Sequence, residues 1–571
     1  MAEERVCEKN DELIIDITDM GTEGEGIGRV EGYTLFVKDA IIGDKVRVKV
    51  IKTKKRFGYA RLMEIITPSK WRVKPVCPVA RQCGGCQLQH CSYEKQLEWK
   101  QQKVTDCLER IGGIDVKDIM EPIIGMDKPY HYRNKAQFPV GYDKEGNLVT
   151  GFYAGRTHSI IPCMDCDIQH PVNSIILRAV LEFMKENGIT AYNEKEGNGL
   201  VRHILTRVGM VTGEIMVCLI INGKKLPHKD KLIEKLLACE FDDIYVDKNS
   251  ELLMKNPLKI KSVSLNINMN NTNVILGNKI ETIYGSPYIE DYIGDIRYRI
   301  SPLSFYQVNP VQTKKLYDTA LEYAGLKGGE VVWDLYCGIG TISLFLAQKV
   351  AKVCGVEIVP QAIEDANVNA KLNGMDNTEF FTGAAEDVVT EQYAQSDGKL
   401  KADVVTIDPP RKGCDEKLLR TVINMEPERI VYVSCDPATL ARDLKYLAAN
   451  GYKVDRVRAC DMFGQSYHVE TVVKLSLKKD TPKIEVTMEP DEESNYTPEE
   501  KPTYQKIKDY VKDKYGVNVH TSYIAQVKRM CGLDMGENYN KSKKENPEVK
   551  QCPQEKVEYI KDALRYFQLI K

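Results

Sequence analysis

The stretch of sequence that decides the fold is VVWDLYCGIGTISLFLA, residues 331–347. An apolar strand runs into a turn that contains Gly338 and Gly340, and an apolar helix follows. Glycines let the backbone approach a ligand closely, as they do in other nucleotide-binding turns. The turn lacks the GxGxxG of dinucleotide enzymes, and the chain contains no GxxxxGK(S/T) phosphate loop. The stretch therefore predicts the ligand-binding edge of a nucleotide-binding α/β domain.

The segments downstream extend this prediction. KVCGVEIV (352–359) has the pattern of the next strand and places Glu357 near its end, where a carboxylate accepts hydrogen bonds from both ribose hydroxyls. TIDPPRKG (406–413) places Asp408 on the substrate side of the same pocket. Strands and helices alternate from residue 303 to residue 478, which indicates a parallel sheet. This order of elements is typical of class I S-adenosylmethionine methyltransferases.

A cysteine and a carboxylate further along indicate what would be methylated. Cys435 ends the apolar strand RIVYVSC (429–435), and Glu470 begins another strand. The C5 carbon of uracil is too weakly nucleophilic to attack a methyl sulfonium, but a thiolate that adds at C6 makes C5 nucleophilic. A base must then remove the C5 proton. Glu470 suits that role, with His468 as its rival because an unperturbed imidazole also suits general-base work.

Arg411 in the Asp-Pro-Pro-Arg segment separates this chemistry from that of related enzymes. Methyltransferases that act on exocyclic base nitrogens usually place an aromatic residue there, to stack on the base. The second cysteine of RNA 5-methylcytosine enzymes is missing from the same motif. Cys414 lies beyond the motif, and we interpret it as a packing residue.

Together these segments resemble the RNA (uracil-5-)-methyltransferase family across residues 6–478. The matching segments are FYQVNP (305–310), DLYCGIGT, DPPRKG, SCDPATLARD (434–443) and HVETV (468–472). The resemblance implies that Cys435 is the nucleophile and Glu470 the proton-abstracting base. It also implies a set of residues that contact S-adenosylmethionine: Gln307, Tyr336, Glu357 and Asp408. YRNKAQF (132–138) looks like part of the RNA-facing central domain of the family.

A cluster of cysteines suggests a metal centre. Three of the 17 cysteines, Cys77, Cys83 and Cys86, follow a C-x5-C-x2-C spacing that can surround one metal if a fourth ligand joins them. Cys163, Cys166 and Cys91 are the candidates for that ligand, and spacing alone leaves zinc open. The same spacing occurs in the 23S ribosomal RNA branch of the family (RumA/RlmD-like). That resemblance implies a [4Fe-4S] cluster held by Cys77, Cys83, Cys86 and Cys166.

The remaining segments complete a predicted α/β architecture with six parts. Residues 11–66 alternate apolar and polar positions between glycine-rich turns, which predicts a five-stranded barrel. Basic and aromatic residues on this barrel suit single-stranded nucleic acid, and the barrel resembles a TRAM domain. The predicted parts are a barrel (6–66), an iron–sulfur loop (77–91), a mixed α+β central RNA-binding domain (120–300), a methyltransferase domain (303–478, with helix 92–111), a linker (479–502) and a small helical appendage of unknown role (503–571).

The composition limits the class of protein. The 571 residues carry a net charge of −2, so any affinity for nucleic acid must come from local patches. No apolar run is long enough for a membrane span, and there is no signal segment, so we expect a cytoplasmic monomer. The leading hypothesis is methylation of a uridine in 23S ribosomal RNA. The alternatives are the same chemistry on transfer RNA, a non-catalytic RNA-binding or assembly factor, and a radical enzyme, although the cysteine spacing does not suit the last.

Overall fold

The structure is a computed structural model. It describes residues 6–155, 157–241, 256–396, 400–478, 504–531 and 552–566. The chain divides into two compact units, Met1–Thr481 and Pro482–Lys571. The whole predicted linker, from residue 479 to residue 502, lies outside the described residues. Within the described part of the chain, no helix has the length and apolar character needed to cross a membrane.

The first domain is a closed barrel of five strands, as predicted. Alternate side chains point inward because side chains in a strand alternate between the two faces, and Leu35, Val37 and Val48 are fully buried. On the outside, Phe36, Phe57 and Tyr59 form a cluster of aromatic rings with centroids 5.6–5.8 Å apart. The strands are β1 (Glu12–Met20), β2 (Gly26–Val30), β3 (Tyr33–Lys38), β4 (Lys45–Thr53) and β5 (Phe57–Thr67).

A connecting segment follows the barrel. Residues 77–91 form turns and bends, and helix α1 (Tyr93–Cys107) then continues into a π-helical turn at Leu108–Gly112. Gly113, with φ of +66°, ends the helix in the left-handed conformation that glycine adopts without strain. Strand β6 (Met120–Ile124) comes next.

The central domain is a seven-stranded sheet in the order β13-β12-β11-β10-β7-β8-β9, with two helices packed on it. Phe138, Phe183 and Leu219 are fully buried in the core between the sheet and these helices. The elements are β7 (Lys135–Tyr142), β8 (Leu148–Tyr153), β9 (Ile160–Pro162), α2 (Val172–Glu186), β10 (Val201–Val208), β11 (Glu214–Ile221), α3 (Lys229–Leu237), β12 (Lys259–Ile267) and β13 (Lys279–Gly285).

The methyltransferase domain contains an eight-stranded sheet in the order β18-β17-β16-β19-β20-β22-β21-β6, after a hairpin of β14 (Ile289–Ile293) and β15 (Ile296–Ile300). Strands β16 to β20 are parallel, and β22 runs antiparallel to both of its neighbours. The elements are α4 (Pro310–Ala324), β16 (Val331–Leu335), α5 (Thr341–Ala347), β17 (Lys352–Glu357), α6 (Pro360–Leu372), β18 (Thr378–Thr382), α7 (Ala385–Gln395), β19 (Val404–Ile407), α8 (Glu416–Met425), β20 (Arg429–Ser434), α9 (Pro437–Ala449), β21 (Tyr452–Cys460) and β22 (Glu470–Leu477).

Two elements within the range predicted for the central domain, residues 120–300, pair or pack with the methyltransferase domain. Strand β6 pairs in parallel with β21 and so covers the edge of the methyltransferase sheet, which would otherwise expose unpaired backbone groups. The β14–β15 hairpin packs its buried residues Ile289, Tyr298 and Ile300 into the methyltransferase core. The central sheet therefore runs from β7 to β13.

The described residues of the second unit form three helices: α10 (Tyr504–Tyr515), α11 (Thr521–Met530) and α12 (Gln554–Tyr566). Apolar residues at helical spacing bury a common core that includes Ile507, Val511, Ile524 and Ile560. Gly516, with φ of +67°, follows the end of α10.

Candidate active site

The glycine-rich turn after β16 is held by a buried carboxylate. Asp334, 1% exposed, accepts hydrogen bonds from Ser343 Oγ of α5 and from Thr406 Oγ1 of β19, the latter at 2.8 Å. Burial raises the pKa of Asp334 to about 6, although both hydroxyl hydrogen bonds oppose the shift. Tyr336 in the turn has φ of +69°, a conformation that costs energy for a residue other than glycine. Asp334 therefore joins three elements at the ligand-binding edge of the sheet.

Glu357 lies at the end of β17, next to this turn. Its Oε1 accepts a hydrogen bond from the backbone N–H of Val359 at 3.0 Å, which fixes the carboxylate at the strand end. Ile358, directly after it, is 66% exposed, and Phe305 of the FYQVNP segment is 68% exposed. Ligands of open α/β sheets bind outside the carboxyl ends of the strands, where exposed apolar side chains can cover an aromatic ring. Phe305 and Ile358 are not among the residues predicted from the sequence, although each lies within two residues of a predicted donor-binding residue, Gln307 or Glu357.

The structure brings Cys435 and Glu470 together. Ser434 of β20 pairs with Thr471 of β22 in antiparallel register, so the next residues, Cys435 and Glu470, lie side by side at the strand ends. Burial, and then the charges of Glu470 and Asp408, raise the pKa of the Cys435 thiol to about 12. Burial and the charge of Asp408 likewise raise the pKa of Glu470 to about 8, and Arg411 opposes both shifts. Three acidic groups therefore share one partly closed site.

Asp408 follows β19 at the same edge of the sheet. Burial, with a contribution from the charge of Asp334, raises its pKa to about 7. The phenol of Tyr317, on α4, is buried and donates a hydrogen bond to Thr341 Oγ1 at 3.0 Å. Burial, and then the charges of Asp408, Asp334 and Glu470, raise the pKa of Tyr317, whereas its hydrogen bond with Thr341 opposes the rise.

His468 lies beside Arg411. The Arg411 Nη2 atom is 3.3 Å from His468 Nε2, and the imidazole lies against Tyr467 at a tilt of 43°, with ring centroids 4.2 Å apart. Burial and the Arg411 charge lower the pKa of His468 to about 4. An imidazole of that pKa is a far weaker base than a carboxylate of pKa about 8. The electrostatics therefore favour Glu470 over His468 as the base.

A buried ion pair holds the loop 461–468 that leads from β21 to Glu470. Lys100 of α1 and Asp461 are both fully buried, with Nζ and Oδ1 2.6 Å apart. Lys100 Nζ also donates to the backbone oxygen of Phe463 at 3.1 Å, and the Tyr93 hydroxyl donates to Asp461 Oδ2 at 2.8 Å. The sequence analysis missed this pair, because its members are 361 residues apart and no local pattern links them.

Gln307 is linked to the central domain through its backbone. The Asn134 side chain donates to the backbone oxygen of Gln307 at 3.0 Å, and the Asn134 N–H donates to the oxygen of Val308 at 2.8 Å. Asn134 belongs to the YRNKAQF segment. The FYQVNP segment at the site is therefore positioned by a residue of the segment expected to face RNA.

The candidate cluster ligands share one neighbourhood. Burial raises the pKa of Cys86 to about 12, with further contributions from the charges of Cys166, Cys83 and Cys77. Cys163 lies beside Cys166 and hydrogen-bonds to it. Cys91, in contrast, is buried among the apolar residues Met20, Ile41 and Trp99.

Thiols are the ligands that iron–sulfur clusters take, and Cys77, Cys83 and Cys166 lie near enough to Cys86 for their charges to raise its pKa. Across the described ranges, however, no three His, Cys, Asp or Glu side chains are arranged as ligands of a single metal ion.

Family comparisons match two parts of the chain. A model described as tRNA (Uracil-5-)-methyltransferase matches residues 228–478, and a model of the TRAM domain matches residues 8–63. The first match includes the predicted donor-binding and catalytic residues: Gln307, Tyr336, Glu357, Asp408, Cys435 and Glu470. The second coincides with the five-stranded barrel.

Individual proteins match over greater lengths. Uncharacterised RNA methyltransferases of Halalkalibacterium halodurans and Bacillus cereus are each 50% identical to this chain, over 82% of its length and 98% of theirs. One from Clostridium tetani is 48% identical over 83% and 98%, respectively. Among solved structures, the tRNA (uracil-54, C5)-methyltransferase of Pyrococcus abyssi in complex with S-adenosyl-L-homocysteine superposes with a TM-score of 0.63 at 27% identity, and covers 81% of this chain and 99% of its own.

Proposed function

This chain belongs to the S-adenosylmethionine-dependent RNA uracil-5-methyltransferase family, and on that premise we propose that it methylates C5 of a uridine in 23S ribosomal RNA through a covalent adduct with Cys435. The observation that supports the covalent step is the position of Cys435 and Glu470, each one residue beyond the Ser434–Thr471 pair at adjacent strand ends. A thiol and a base on one side of a donor pocket suit addition to C6 followed by removal of a proton from C5.

The donor pocket is formed by residues at the carboxyl ends of β16, β17 and β19. S-adenosylmethionine supplies, when bound, an electrophilic methyl group on a sulfonium sulfur. Glu357 would accept hydrogen bonds from the ribose hydroxyls, and the turn at Tyr336 would accommodate the amino-acid part of the donor. Gln307 and Asp408 would complete the contacts. The exposed side chains of Phe305 and Ile358 would exclude water from the bound donor.

The chemical steps assign one bond change to each residue. The Cys435 thiol loses its proton to solvent, its sulfur adds to C6 of the uracil ring, and the electrons of the C5–C6 double bond move into an enolate. C5 then bonds to the methyl group of the donor as the methyl–sulfonium bond breaks, and the donor leaves as the neutral thioether S-adenosyl-L-homocysteine. Glu470 accepts the proton from C5, the C5–C6 double bond re-forms, and the C6–S bond breaks to release Cys435. The charge of Arg411 opposes the rise in the pKa of both Cys435 and Glu470, and it stabilises the negative charge that develops among these groups.

The covalent step is tested with RNA that carries 5-fluorouridine at the target. Fluorine at C5 cannot leave as a proton, so the wild-type enzyme should accumulate an RNA adduct on Cys435, detected by mass spectrometry. Cys435→Ala should form none. Cys107→Ala is a matched control, because Cys107 is a partly buried thiol near Asp436 with no part in the chemistry. Methylation of ordinary RNA by the wild type without any adduct on the fluorinated RNA would refute the covalent mechanism.

The choice of 23S ribosomal RNA rests on the barrel together with the cysteine loop, as in the ribosomal branch that the sequence resembles. Transfer RNA is the second candidate, because the Pyrococcus abyssi enzyme aligns along 99% of its own chain with this one and is named for a tRNA position. Parallel assays on unmodified 23S ribosomal RNA fragments and tRNA transcripts decide between them. Methyl incorporation confined to tRNA would overturn the ribosomal proposal and leave the covalent chemistry intact.

We further propose that Cys77, Cys83, Cys86 and Cys166 hold a [4Fe-4S] cluster, with Cys163 outside the ligand set. The C-x5-C-x2-C spacing and the mutual influence of these thiols support the proposal. Anaerobically purified protein should contain about four irons per chain and absorb broadly near 400 nm. Cys166→Ser should lose most of that iron, and Cys163→Ser should keep it. Retention of one zinc and no iron would identify a different metal centre.

A further inference from the structure

Basic residues gather on the face of the central sheet that is turned away from its two helices. Ala136 and Phe138 of β7 are buried in the core with α2 and α3, so Lys135 points to the opposite face, because side chains alternate along a strand. Arg207 of β10 is the direct partner of Lys135 in the antiparallel register, and such partners share a face. Arg133 precedes Lys135 by two residues. We call Arg133, Lys135 and Arg207 the cation cluster.

The charges of the cation cluster are not offset by a carboxylate. Arg207 is 2% exposed, its guanidinium donates to the backbone oxygen of Ser304, and its Nε atom has no hydrogen-bond partner within the described residues. Burial, and then the charges of Arg207 and Arg133, lower the pKa of Lys135 to about 7, and no carboxylate of the described ranges opposes this shift. Buried basic side chains in native proteins are almost always paired. The cation cluster is therefore completed by an anion that binds to it.

The cation cluster is open to solvent and lies near the candidate active site. Lys135 is half-buried, and its ammonium is not one of the polar atoms that are sealed from solvent. Burial first, and then a set of positive charges that includes Arg133, lowers the pKa of His468. His468 lies two residues before Glu470, the proposed base. The positive charge of the cluster therefore extends from the central sheet to the strand end that carries the base.

We propose that the cation cluster binds one backbone phosphate of the RNA substrate, close to the target uridine. Lys135 and Arg133 would donate to the phosphate oxygens, and Arg207 would add its charge from the interior without touching RNA. A phosphate carries a full negative charge, so it offsets buried positive charges that a neutral base would leave unpaired. The inference rests on the proposed function in requiring an RNA substrate, and it adds a phosphate contact beside the site of methylation. The carboxylate of the methyl donor is the other anion that binds in this domain, and the experiment separates the two.

The test combines neutral phosphates in the RNA with removal of the Lys135 charge. A synthetic fragment of the RNA that the wild type binds most tightly, ribosomal or transfer, receives one methylphosphonate linkage at each position in turn. In the wild type, one position should weaken binding at least about tenfold, the scale for loss of a hydrogen bond to a charged group. Lys135→Met should bind the unmodified fragment more weakly by a similar factor, and the same methylphosphonate should then weaken binding less than twofold. Filter binding measures each Kd.

Two further variants separate a phosphate contact from a general loss of structure. Lys135→Arg keeps the positive charge and should retain the wild-type sensitivity to the methylphosphonate. Lys185→Met is the matched control, because Lys185 is an exposed lysine of α2, which packs on the other face of the sheet. It should bind every fragment as the wild type does. Equal methylphosphonate sensitivity of the wild type and Lys135→Met at every position would overturn the inference.

The same variants decide between the two anions. Calorimetry should give the same Kd for S-adenosyl-L-homocysteine in the wild type and in Lys135→Met. A weaker Kd for that ligand in Lys135→Met, together with unchanged sensitivity to methylphosphonates, would assign the cation cluster to the donor carboxylate and overturn the inference. These binding measurements need no methyl transfer, so failure of the proposed function is seen separately, in the methylation assay.

Discussion

The free active site keeps its nucleophile protonated. Cys435, Glu470 and Asp408 all have raised pKa values, of about 12, 8 and 7, because burial and mutual repulsion disfavour their charged forms. A positive charge that enters such a site lowers all three values together. The thiolate is therefore favoured only when a cationic donor and the substrate occupy the pocket. This coupling protects an unoccupied Cys435 from oxidation or alkylation, which both require the thiolate.

The pKa of Glu470 predicts the pH dependence of turnover. Glu470 is the proposed base, and its raised pKa of about 8 means that the protonated form predominates below that value. The rate at which a single turnover releases free methylated RNA should therefore rise with pH and level off no higher than about pH 8, measured by rapid quench between about pH 6 and 9. His468→Asn should keep this profile, because an imidazole of pKa about 4 does not titrate in that range.

Replacement of the base itself checks the assignment. Glu470→Gln should still form the covalent adduct and methylate C5, but it should release product at least about a hundredfold more slowly, the low end for loss of a general base. The methylated RNA should therefore remain attached to Cys435 on denaturing gels. Free turnover in Glu470→Gln together with a trapped adduct in His468→Asn would assign the base to His468 instead.

Among the elements, the loop 461–468 is held in place by buried polar contacts with α1. It connects β21 to Glu470, and its first residue, Asp461, is paired with Lys100 of α1 without exposure to solvent. Gln96 Nε2 of α1 donates a hydrogen bond to Gln465 Oε1 in the same loop, at 3.0 Å. Helix α1 therefore fixes the position of the loop that leads to Glu470 at the start of β22.

Loss of the buried pair should be costly. Lys100→Met leaves Asp461 buried and unpaired as a charge, which typically destabilises a protein by about 3–5 kcal/mol. Lys314→Met, which removes an exposed ion pair with Asp318 on α4, should cost less than about 1 kcal/mol. Urea denaturation measures both free energies of unfolding. Similar values for the two variants would show that Lys100 contributes no more than a surface lysine.

Local sequence patterns predicted the elements that have a clear alternation of apolar and polar residues. They did not predict the elements that form only by pairing with a segment far away in the sequence. The barrel strands and the turn at 336–340 follow from alternation and from glycines, which are readable within a few residues. Strand β6 is only five residues long and forms because β21, more than 300 residues away, has a free edge. The Lys100–Asp461 pair depends on the same long-range packing. Cys435 and Glu470 could be predicted because their motifs are local, although their adjacency required the β20–β22 register.

At the scale of the whole molecule, each of the two units has a hydrophobic core of its own. The second unit has its own apolar core and its own polar network, in which Asp562 accepts hydrogen bonds from Tyr510, Lys514 and Tyr515. These partners, first Lys514, lower the pKa of Asp562 to about 2. The family match ends at residue 478, and 470 residues of this chain align with 98% of the Halalkalibacterium halodurans protein. Relatives therefore form an RNA methyltransferase of about the length of the first unit.

A chain that ends at Thr481 should consequently keep its chemistry. We expect kcat on a short RNA fragment to stay within about twofold of the full-length value, because every residue of the candidate site lies in Met1–Thr481. Calorimetry of the full-length protein should show a transition that the shortened chain lacks, since separate cores unfold as separate cooperative units. If the second unit contributes RNA contacts, the shortened chain will show a raised KM at unchanged kcat, and more so on long RNA than on short. A large fall in kcat itself would contradict the independence of the two units and place part of the catalytic support beyond residue 481.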